Sequence, residues 1–243
     1  MRETPAANDR AFEPGVNHVL PKSLADAGDE RRTVVLQSSS PHAIESSAER
    51  LLAGGVISLP TDTVYGVAAS LAHESALQRV FEIKRRPEDR TLPVLIASTD
   101  VLVRIAARVS EEVLLLLDRY WPGPLTVVIP ARGGMPDLVT GPGQTIGVRL
   151  PNHPLAIEVI DRAGGAIACT SANRSGESPA RTAAEVAATM GPELDLILDG
   201  GLTPGGVPST VIAVEHDLVR VLREGAIPAE HLLATWDELL RGA

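Results

Sequence analysis

Cysteine is nearly absent from this sequence: its 243 residues include one, Cys169. A single thiol excludes an internal disulfide framework and any zinc site that is built from several cysteines. Aromatic residues are also scarce, at 2%, whereas hydrophobic residues make up 44% of the chain. A folded core is therefore expected, and it must be built mainly from Ala, Val, Leu and Ile.

Long apolar runs are missing as well. The longest unbroken run, 113–117, is far shorter than the roughly 20 residues that a membrane-spanning helix needs. The first residues, MRETPA, contain no apolar stretch of the kind found in secretory signals. We therefore expect no membrane segment, no signal peptide and a cytoplasmic location, which the single cysteine also fits.

Positive charge is in deficit, since 22 Lys and Arg face 31 Asp and Glu for a formal net charge of −9. Proteins that hold nucleic acid through their surface usually carry a basic face, so this is not expected as the main task. A local basic pocket for a small anion remains compatible with the balance. The sequence contains neither a P-loop with its Lys nor a Rossmann GxGxxG fingerprint.

The sequence pattern divides the chain into two parts. Residues 1–32 are rich in Ala, Pro and charged residues and lack periodicity, so we interpret them as a flexible N-terminal extension. Residues 33–243 are expected to form one domain, because strand and helix patterns alternate along them. This alternation predicts an α/β layer fold, and the closely spaced strands near the end indicate that its sheet mixes parallel and antiparallel strands.

Periodicity and turn residues place the individual elements. Strands are expected near 33–36, 56–59, 92–97, 125–130, 146–150, 166–170, 195–198, 210–214 and 218–222. One helix is expected to begin at Ser40-Pro41 and end at Gly54-Gly55, and another begins at a capping box of Thr182 with Glu185. Further helices are expected near 76–83, 99–107, 110–120, 154–163 and 229–240.

Four polar segments connect these elements: 60–66, 84–90, 170–176 and 205–210. Each has an ordinary structural interpretation, such as a polar turn, a solvated helix end or the start of a strand. Ligands of open α/β sheets, however, bind where loops converge at strand ends. A nucleoside triphosphate needs fixed cations, and an amino acid needs small hydroxyl and amide groups. The candidate cations are Arg86, Arg90, Arg149, Arg223 and Lys84, and the candidate polar groups are Thr61, Thr63, Ser171, Asn173, Ser209 and Thr210.

Six short motifs in order make the sequence resemble a known family. They are LPTDTVYG at 59–66, KRRP at 84–87, WPGPLT at 121–126, VRLP at 148–151, SAN at 171–173 and STV at 209–211. Together they resemble the YrdC family of threonylcarbamoyl-adenylate synthases over about residues 40–227. The chain is similar to the short form of that family, without the additional C-terminal domain.

This resemblance implies a reaction in which L-threonine, bicarbonate or CO2 and ATP give L-threonylcarbamoyl-AMP and pyrophosphate. Mg²⁺ is expected with the ATP, without a metal motif in the protein. A separate transferase system would then pass the threonylcarbamoyl group to tRNA, and a weak direct contact with tRNA is an additional expectation. The implied fold is a twisted mixed sheet with flanking helices around a deep basic cavity.

The resemblance also assigns roles by motif position. It implies Lys84 and Arg86 as catalytic residues, with Lys84 facing the phosphates. ATP-binding positions are Arg86, Arg90, Arg149, Asn173 and Arg223, and threonine-binding positions are Thr61, Thr63, Ser171 and Ser209. Further candidates are Tyr65, Thr126, His153 and Thr210. The chain departs from the common family pattern at Arg90, Thr91, Leu95 and Ala180.

No general base stands out, and two other functions stay open. Asp62 is interpreted as a loop-fixing residue, and His153 as a structural residue first. One alternative is an enzyme that processes carbamoyl-adenylate, although such proteins carry cysteine-rich modules that this chain lacks. The other is an RNA-binding or ribosome-maturation factor, which the net charge of −9 disfavours.

Overall fold

Strands and helices alternate through the part of the chain that the computed structural model describes, which is residues 33–87, 90–215 and 218–242. The predicted N-terminal extension, 1–32, lies outside the described residues. The strands are β1 (Val34–Gln37), β2 (Val56–Leu59), β3 (Gly66–Ser70), β4 (Val94–Ile96), β5 (Leu125–Pro130), β6 (Thr145–Arg149), β7 (Ala166–Ser171), β8 (Leu196–Asp199), β9 (Thr210–Glu215) and β10 (Leu218–Arg223).

The α-helices lie between these strands and after the last one. They are α1 (Ala43–Leu52), α2 (Glu74–Lys84), α3 (Leu102–Ile105), α4 (Glu111–Tyr120), α5 (Asp137–Thr140), α6 (Pro154–Arg162), α7 (Ala183–Met190) and α8 (Ala229–Gly242). Short 3₁₀ turns at Thr99–Val101 and Gly191–Glu193 precede α3 and follow α7. None of the described helices is long and apolar enough to cross a membrane.

Within the described residues, all ten strands belong to one sheet with the order β1-β8-β2-β3-β7-β4-β6-β5-β9-β10. Parallel pairing joins β1 to β8, β2 to β8, β4 to β6 and β5 to β9. The other neighbours pair antiparallel. This confirms the predicted mixed sheet with flanking helices.

The sheet is covered on both faces, because successive side chains of a strand point to opposite sides. On β3, Ala68 packs in a cluster with Leu51 of α1 and Ile160 of α6. Its neighbour Val67 belongs to the other cluster, with Leu77 of α2. The core thus consists of two layers of small and branched aliphatic side chains, as the composition predicts.

Two helix starts show how far local signals determine an element. The predicted start of α1 at Ser40-Pro41 is wrong, since the N-cap is His42, which adopts a left-handed conformation with φ 65°. The capping signal of α7 is confirmed in part. The Thr182 hydroxyl accepts a hydrogen bond from the Glu185 amide at 3.2 Å. The Glu185 carboxylate reaches the amide of Arg181 rather than that of Thr182.

The sequence prediction missed β3 and α5. Residues 60–66 were expected to be a polar loop, yet β3 begins at Gly66 and all five of its residues are buried. It pairs with β2 on one side and β7 on the other. This central position brings the loop before β3 next to the loop that follows β7.

Candidate active site

Side chains from widely separated stretches of the chain surround one pocket with a volume of about 400 Å³. They come from the loop between β2 and β3, the end of α2 and the segment after it, β5, β6, the end of β7 with its following loop, and β9 and β10. A pocket of this size falls in the range of small-molecule sites.

The pocket concentrates positive charge in an acidic protein. Its lining includes Lys84, Arg86, Arg90, Arg149 and Arg223. No Asp or Glu occurs among the described residues that line it. Cations of this kind at one site strongly favour an anionic ligand, and guanidinium groups suit phosphate oxygens in particular.

Arg149, at the end of β6, joins three segments of the pocket. Its Nη2 donates to Asp62 Oδ1 at 2.6 Å, its Nη1 to Thr63 Oγ1 at 3.2 Å and its Nε to the Gly123 carbonyl at 3.0 Å. The side chains of Arg149 and Asp62 are 8% and 13% exposed. Asp62 therefore fixes the arginine in place, as the sequence predicted for a loop-fixing residue.

Arg86 shapes the turn that carries Arg90. Its Nη2 donates to the Thr91 carbonyl at 2.7 Å, and its Nε donates to the Arg90 carbonyl at 3.2 Å. Both arginines and Thr91 line the pocket. Arg86 is half-buried, whereas Arg90 is exposed.

A second polar cluster lies where β5, β9 and β10 meet. The hydroxyls of Ser209 and Thr126 are 2.8 Å apart, and both residues are buried. Arg223 Nη2 donates to the Ser209 carbonyl at 2.8 Å and to its hydroxyl at 3.3 Å. Burial lowers the pKa of Arg223, and the positive charge of Arg149 lowers it further. An anion between the two guanidinium groups would relieve their repulsion.

Thr61 and Thr63 differ in what their hydroxyls do. Thr61 Oγ1 donates to the Val64 carbonyl at 2.7 Å and accepts from the amides of Thr63 and Val64. This pattern is a side-chain turn that builds the loop. Thr63 Oγ1 accepts from Arg149 and lies 3.1 Å from Thr61 Oγ1. Both residues line the pocket.

The end of α2 meets the loop after β7 through Lys84. Its Nζ donates to the Ser171 carbonyl, to the Asn173 carbonyl at 2.8 Å and to Asn173 Oδ1 at 3.1 Å. Burial lowers the pKa of Lys84 to about 8, with Arg86 as a second cause. All three residues line the pocket.

Three of the additional candidates have other tasks. Tyr65 lines the pocket, but its hydroxyl donates to the Gly201 carbonyl at 2.8 Å. Thr210 is fully buried and holds the segment before α8 through the Ile227 carbonyl. His153 is the N-cap residue of α6, and burial lowers its pKa. Neither Thr210 nor His153 belongs to the lining of the pocket.

Sequence reasoning missed part of the lining on β5 and β6. Thr145 and Gly147 line the pocket together with Arg149, and Val128 does so together with Thr126. These residues are two apart on their strands, so they share one face. That period-2 spacing was readable once Arg149 and Thr126 were candidates.

Of the four positions that depart from the common family pattern, three line the pocket and one does not. Arg90, Thr91 and Leu95 line the pocket. Ala180 is buried outside the lining, where its amide donates to the Ala172 carbonyl at 2.9 Å.

The donor set of the pocket does not suit a resident divalent metal ion. Among the described residues, no group of three or more His, Cys, Asp or Glu side chains is placed to hold one. Mg²⁺ prefers carboxylate and phosphate oxygens, and the described lining offers hydroxyls, an amide and cations instead.

The chain is similar in sequence to a known protein family and to several named relatives. A family model named for Sua5, YciO and YrdC, and described as telomere recombination, matches residues 49–225. A threonylcarbamoyl-AMP synthase of Pyrococcus abyssi is 40% identical over 179 residues, or 74% of this chain. One of Halorhodospira halophila is 35% identical over 162 residues, which are 67% of this chain and 85% of that protein.

A solved structure extends the likeness to three dimensions. The crystal structure of Pyrococcus abyssi Sua5 complexed with L-threonine has a TM-score of 0.78 and 36% identity, over 84% of this chain and 60% of that one. The chain spans 53% of the length of the Pyrococcus threonylcarbamoyl-AMP synthase.

Proposed function

The chain belongs to the Sua5/YciO/YrdC family, and on that premise we propose that it is an L-threonylcarbamoyladenylate synthase. In this reaction L-threonine, CO2 from bicarbonate and ATP give L-threonylcarbamoyl-AMP and pyrophosphate. The relatives named threonylcarbamoyl-AMP synthase and the Sua5 complex with L-threonine support the choice of substrates.

One observation carries the proposal. Five cations from distant positions in the sequence surround one pocket beside buried hydroxyls, in a chain with a net charge of −9. Triphosphate oxygens suit the arginines among these cations, whereas the hydroxyls of Thr63, Ser171 and Ser209 suit a small polar amino acid. A site for a triphosphate alone would not need the hydroxyls, and a site for an amino acid alone would not need this many cations.

The chemistry proceeds in two bond-forming steps. The neutral amine of threonine attacks CO2, forms an N–C bond and releases a proton. An oxygen of the resulting carbamate then attacks the α-phosphorus of ATP, the bond to the β-phosphate oxygen breaks and pyrophosphate leaves. Negative charge increases on the α-phosphate and on the leaving group during the second step.

The protein contributes position and charge in this scheme. In this scheme Arg86, Arg90 and Arg223 hold phosphate oxygens, because the planar guanidinium group binds phosphate through paired hydrogen bonds. Arg149, fixed by Asp62, keeps the Thr63 loop beside them. Holding amine, CO2 and phosphorus together removes much of the entropic barrier of a three-component reaction. Mg²⁺ would be bound as part of the nucleotide substrate, where it would neutralise phosphate charge.

The product is a mixed anhydride, which is a reactive acyl donor. We propose that a separate tRNA threonylcarbamoyl-transferase system consumes it, in a cytoplasmic location. A weak direct contact with tRNA is part of the proposal, but the acidic net charge makes a tight general complex unexpected.

The test is a pyrophosphate-release assay with purified protein, Mg²⁺ and ATP. Release is expected to require both L-threonine and bicarbonate, and mass spectrometry should detect threonylcarbamoyl-AMP. D-Threonine serves as the matched control for the amino acid. Absence of release in the complete mixture would refute the proposed activity.

Two further measurements test the two alternative functions. Replacing L-threonine and bicarbonate with carbamoyl phosphate tests a carbamoyl-adenylate-processing enzyme. Measuring tRNA affinity against salt concentration tests an RNA-binding factor, which would show tight, steeply salt-dependent binding without ATP turnover.

A further inference from the structure

The hydrogen-bonding capacity of Lys84 is used up within the protein. An ammonium group has three N–H donors and no acceptor. In Lys84 they meet the Ser171 carbonyl, the Asn173 carbonyl and Asn173 Oδ1. The residue is 2% exposed, although it borders the pocket. No donor is left over for a phosphate oxygen, which differs from the role that the family resemblance implies.

The orientation of the Asn173 amide is determined by its surroundings. Its Nδ2 donates to the carbonyls of Arg174 and Glu177, both at 2.8 Å. A flipped amide would place its oxygen against these two carbonyl oxygens, which would repel it. Oδ1 must therefore face Lys84 Nζ and the Ser171 hydroxyl, which lies 2.6 Å away.

This arrangement fixes the direction of the hydrogen bond from Ser171. Asn173 Oδ1 carries no hydrogen, so the Ser171 hydroxyl must donate its only proton to that oxygen. Ser171 Oγ then offers only lone pairs to the pocket. A ligand that binds there must bring a donor, such as the N–H or O–H of an amino acid.

We propose that Lys84 is a positioning residue which, through Asn173, holds the Ser171 hydroxyl as an acceptor for a donor group of the amino acid substrate. This role rests on the proposed function and identifies the partner of one of its site residues. Lys84 thereby acts on threonine binding, through a relay of two side chains, and not on the triphosphate.

The charge state of Lys84 agrees with this role at neutral pH. Burial, with the charges of Arg86 and Arg174 as smaller causes, lowers its pKa to about 8, and buried Cys169 acts in the opposite direction. The ammonium form, with all three donors, therefore dominates at pH 7. Deprotonation above pH 8 removes one donor from the relay.

The test is a double-mutant cycle on the binding of L-threonine without nucleotide, measured by titration calorimetry at pH 7. Lys84→Met and Ser171→Ala should each weaken binding about tenfold. The double variant should bind no more weakly than the poorer single variant, because the two residues act as one unit. Arg85→Gln, an exposed neighbour of Lys84, is the matched control and should bind as the wild type does.

Direct action of Lys84 on phosphate predicts a different result. Lys84→Met would then bind L-threonine normally and lose affinity only for ATP. Alternatively, its loss of L-threonine affinity would add to that of Ser171→Ala. Either outcome overturns the proposal. Wild-type protein that turns over no L-threonine would instead refute the proposed function itself.

A pH titration covers the case in which Lys84→Met does not fold. At each pH, the affinity of the wild type for L-threonine is divided by that of Ser171→Ala. The titration of the free amino acid affects both affinities equally, so it cancels in this ratio. This ratio should fall from about tenfold toward one as the pH rises from 7 to 9.5. A ratio that stays constant over this range also overturns the proposal.

Discussion

At the scale of single residues, Arg223 tests whether a cation on β10 binds ATP specifically or acts only through general surface charge. Its guanidinium donates to the carbonyl and the hydroxyl of Ser209, and another cation, Arg149, is close enough to lower its pKa. Arg223→Gln should raise the KM for ATP about tenfold, because a charge-assisted hydrogen bond contributes roughly 1.5–3 kcal/mol. The KM for L-threonine should change little. Initial rates of pyrophosphate release at varied ATP, and separately at varied L-threonine, give the two constants.

Arg220→Gln is the matched control for this prediction. Arg220 lies on the same strand, β10, and its side chain is 71% exposed at 4.0 Å from Glu215. Such a surface pair contributes little, so the variant should keep wild-type kinetics. Equal losses in the two variants would show that β10 contributes through general charge, not through a site.

Cys169 gives a pH-dependent contribution to stability. Burial raises the pKa of its thiol from 9.0 to about 12, so above pH 9 the unfolded chain loses a proton that the folded protein keeps. This contribution is fully present below pH 9 and is lost as the pH rises toward 12. Between pH 8 and 10, the free energy of unfolding of the wild type should fall by about 1 kcal/mol relative to Cys169→Ala. Urea unfolding at both pH values measures it, and an unchanged difference contradicts it.

The residue types of the site were predictable, but their contacts were not. Arg86, Arg149 and Arg223 stood out because guanidinium groups suit phosphate, and all three line one pocket. Lys84 donates its hydrogen bonds to the loop after β7, and the Thr61 hydroxyl donates to a carbonyl of its own turn. Both contacts depend on the directions in which the side chains point. Those directions follow from tertiary packing, which one sequence does not display.

At the scale of elements, β3 shows where local signals fail. Its sequence, GVAAS, has little of the branched and aromatic character that favours strands, so no strand was predicted there. The strand forms because β2 and β7 supply hydrogen bonds on both of its sides. Strands with stronger local patterns, such as β5 and β6, were predicted to within a few residues.

Gly66, at the start of β3, allows this close pairing. A Cβ built there would lie 2.4 Å from Cys169 Sγ on β7. Gly66→Ala should therefore lower the free energy of unfolding by about 1–3 kcal/mol, as overpacking does. Combining it with Cys169→Ala should recover most of that loss relative to Cys169→Ala alone. Urea unfolding of the four proteins in the cycle provides the measurement.

Gly133→Ala is the control, because a Cβ at that position meets nothing within 4 Å. It should leave the free energy of unfolding within about 0.5 kcal/mol of the wild type. If Gly66→Ala is equally harmless, the contact between β3 and β7 is looser than its geometry indicates.

At the scale of the whole molecule, the site exists only because the fold joins distant parts of the chain. Arg149 and Asp62 are 87 positions apart in the sequence, and Lys84 and Ser171 are also 87 apart. The central strands β2, β3 and β7 bring the loops around Thr63 and Asn173 together at the same end of these strands. A ligand that contacts these loops together must restrain all of them at once.

This coupling gives a prediction for hydrogen exchange. With L-threonine and an ATP analogue that cannot release pyrophosphate, backbone amides of the loops around Thr63, Asn173 and Ser209 should exchange more slowly, because ligand binding suppresses local opening. Amides of α8, which lies outside the pocket lining, serve as the internal control and should not change. Protection limited to one loop would mean that the ligand contacts one segment, and that the pocket does not act as a single site.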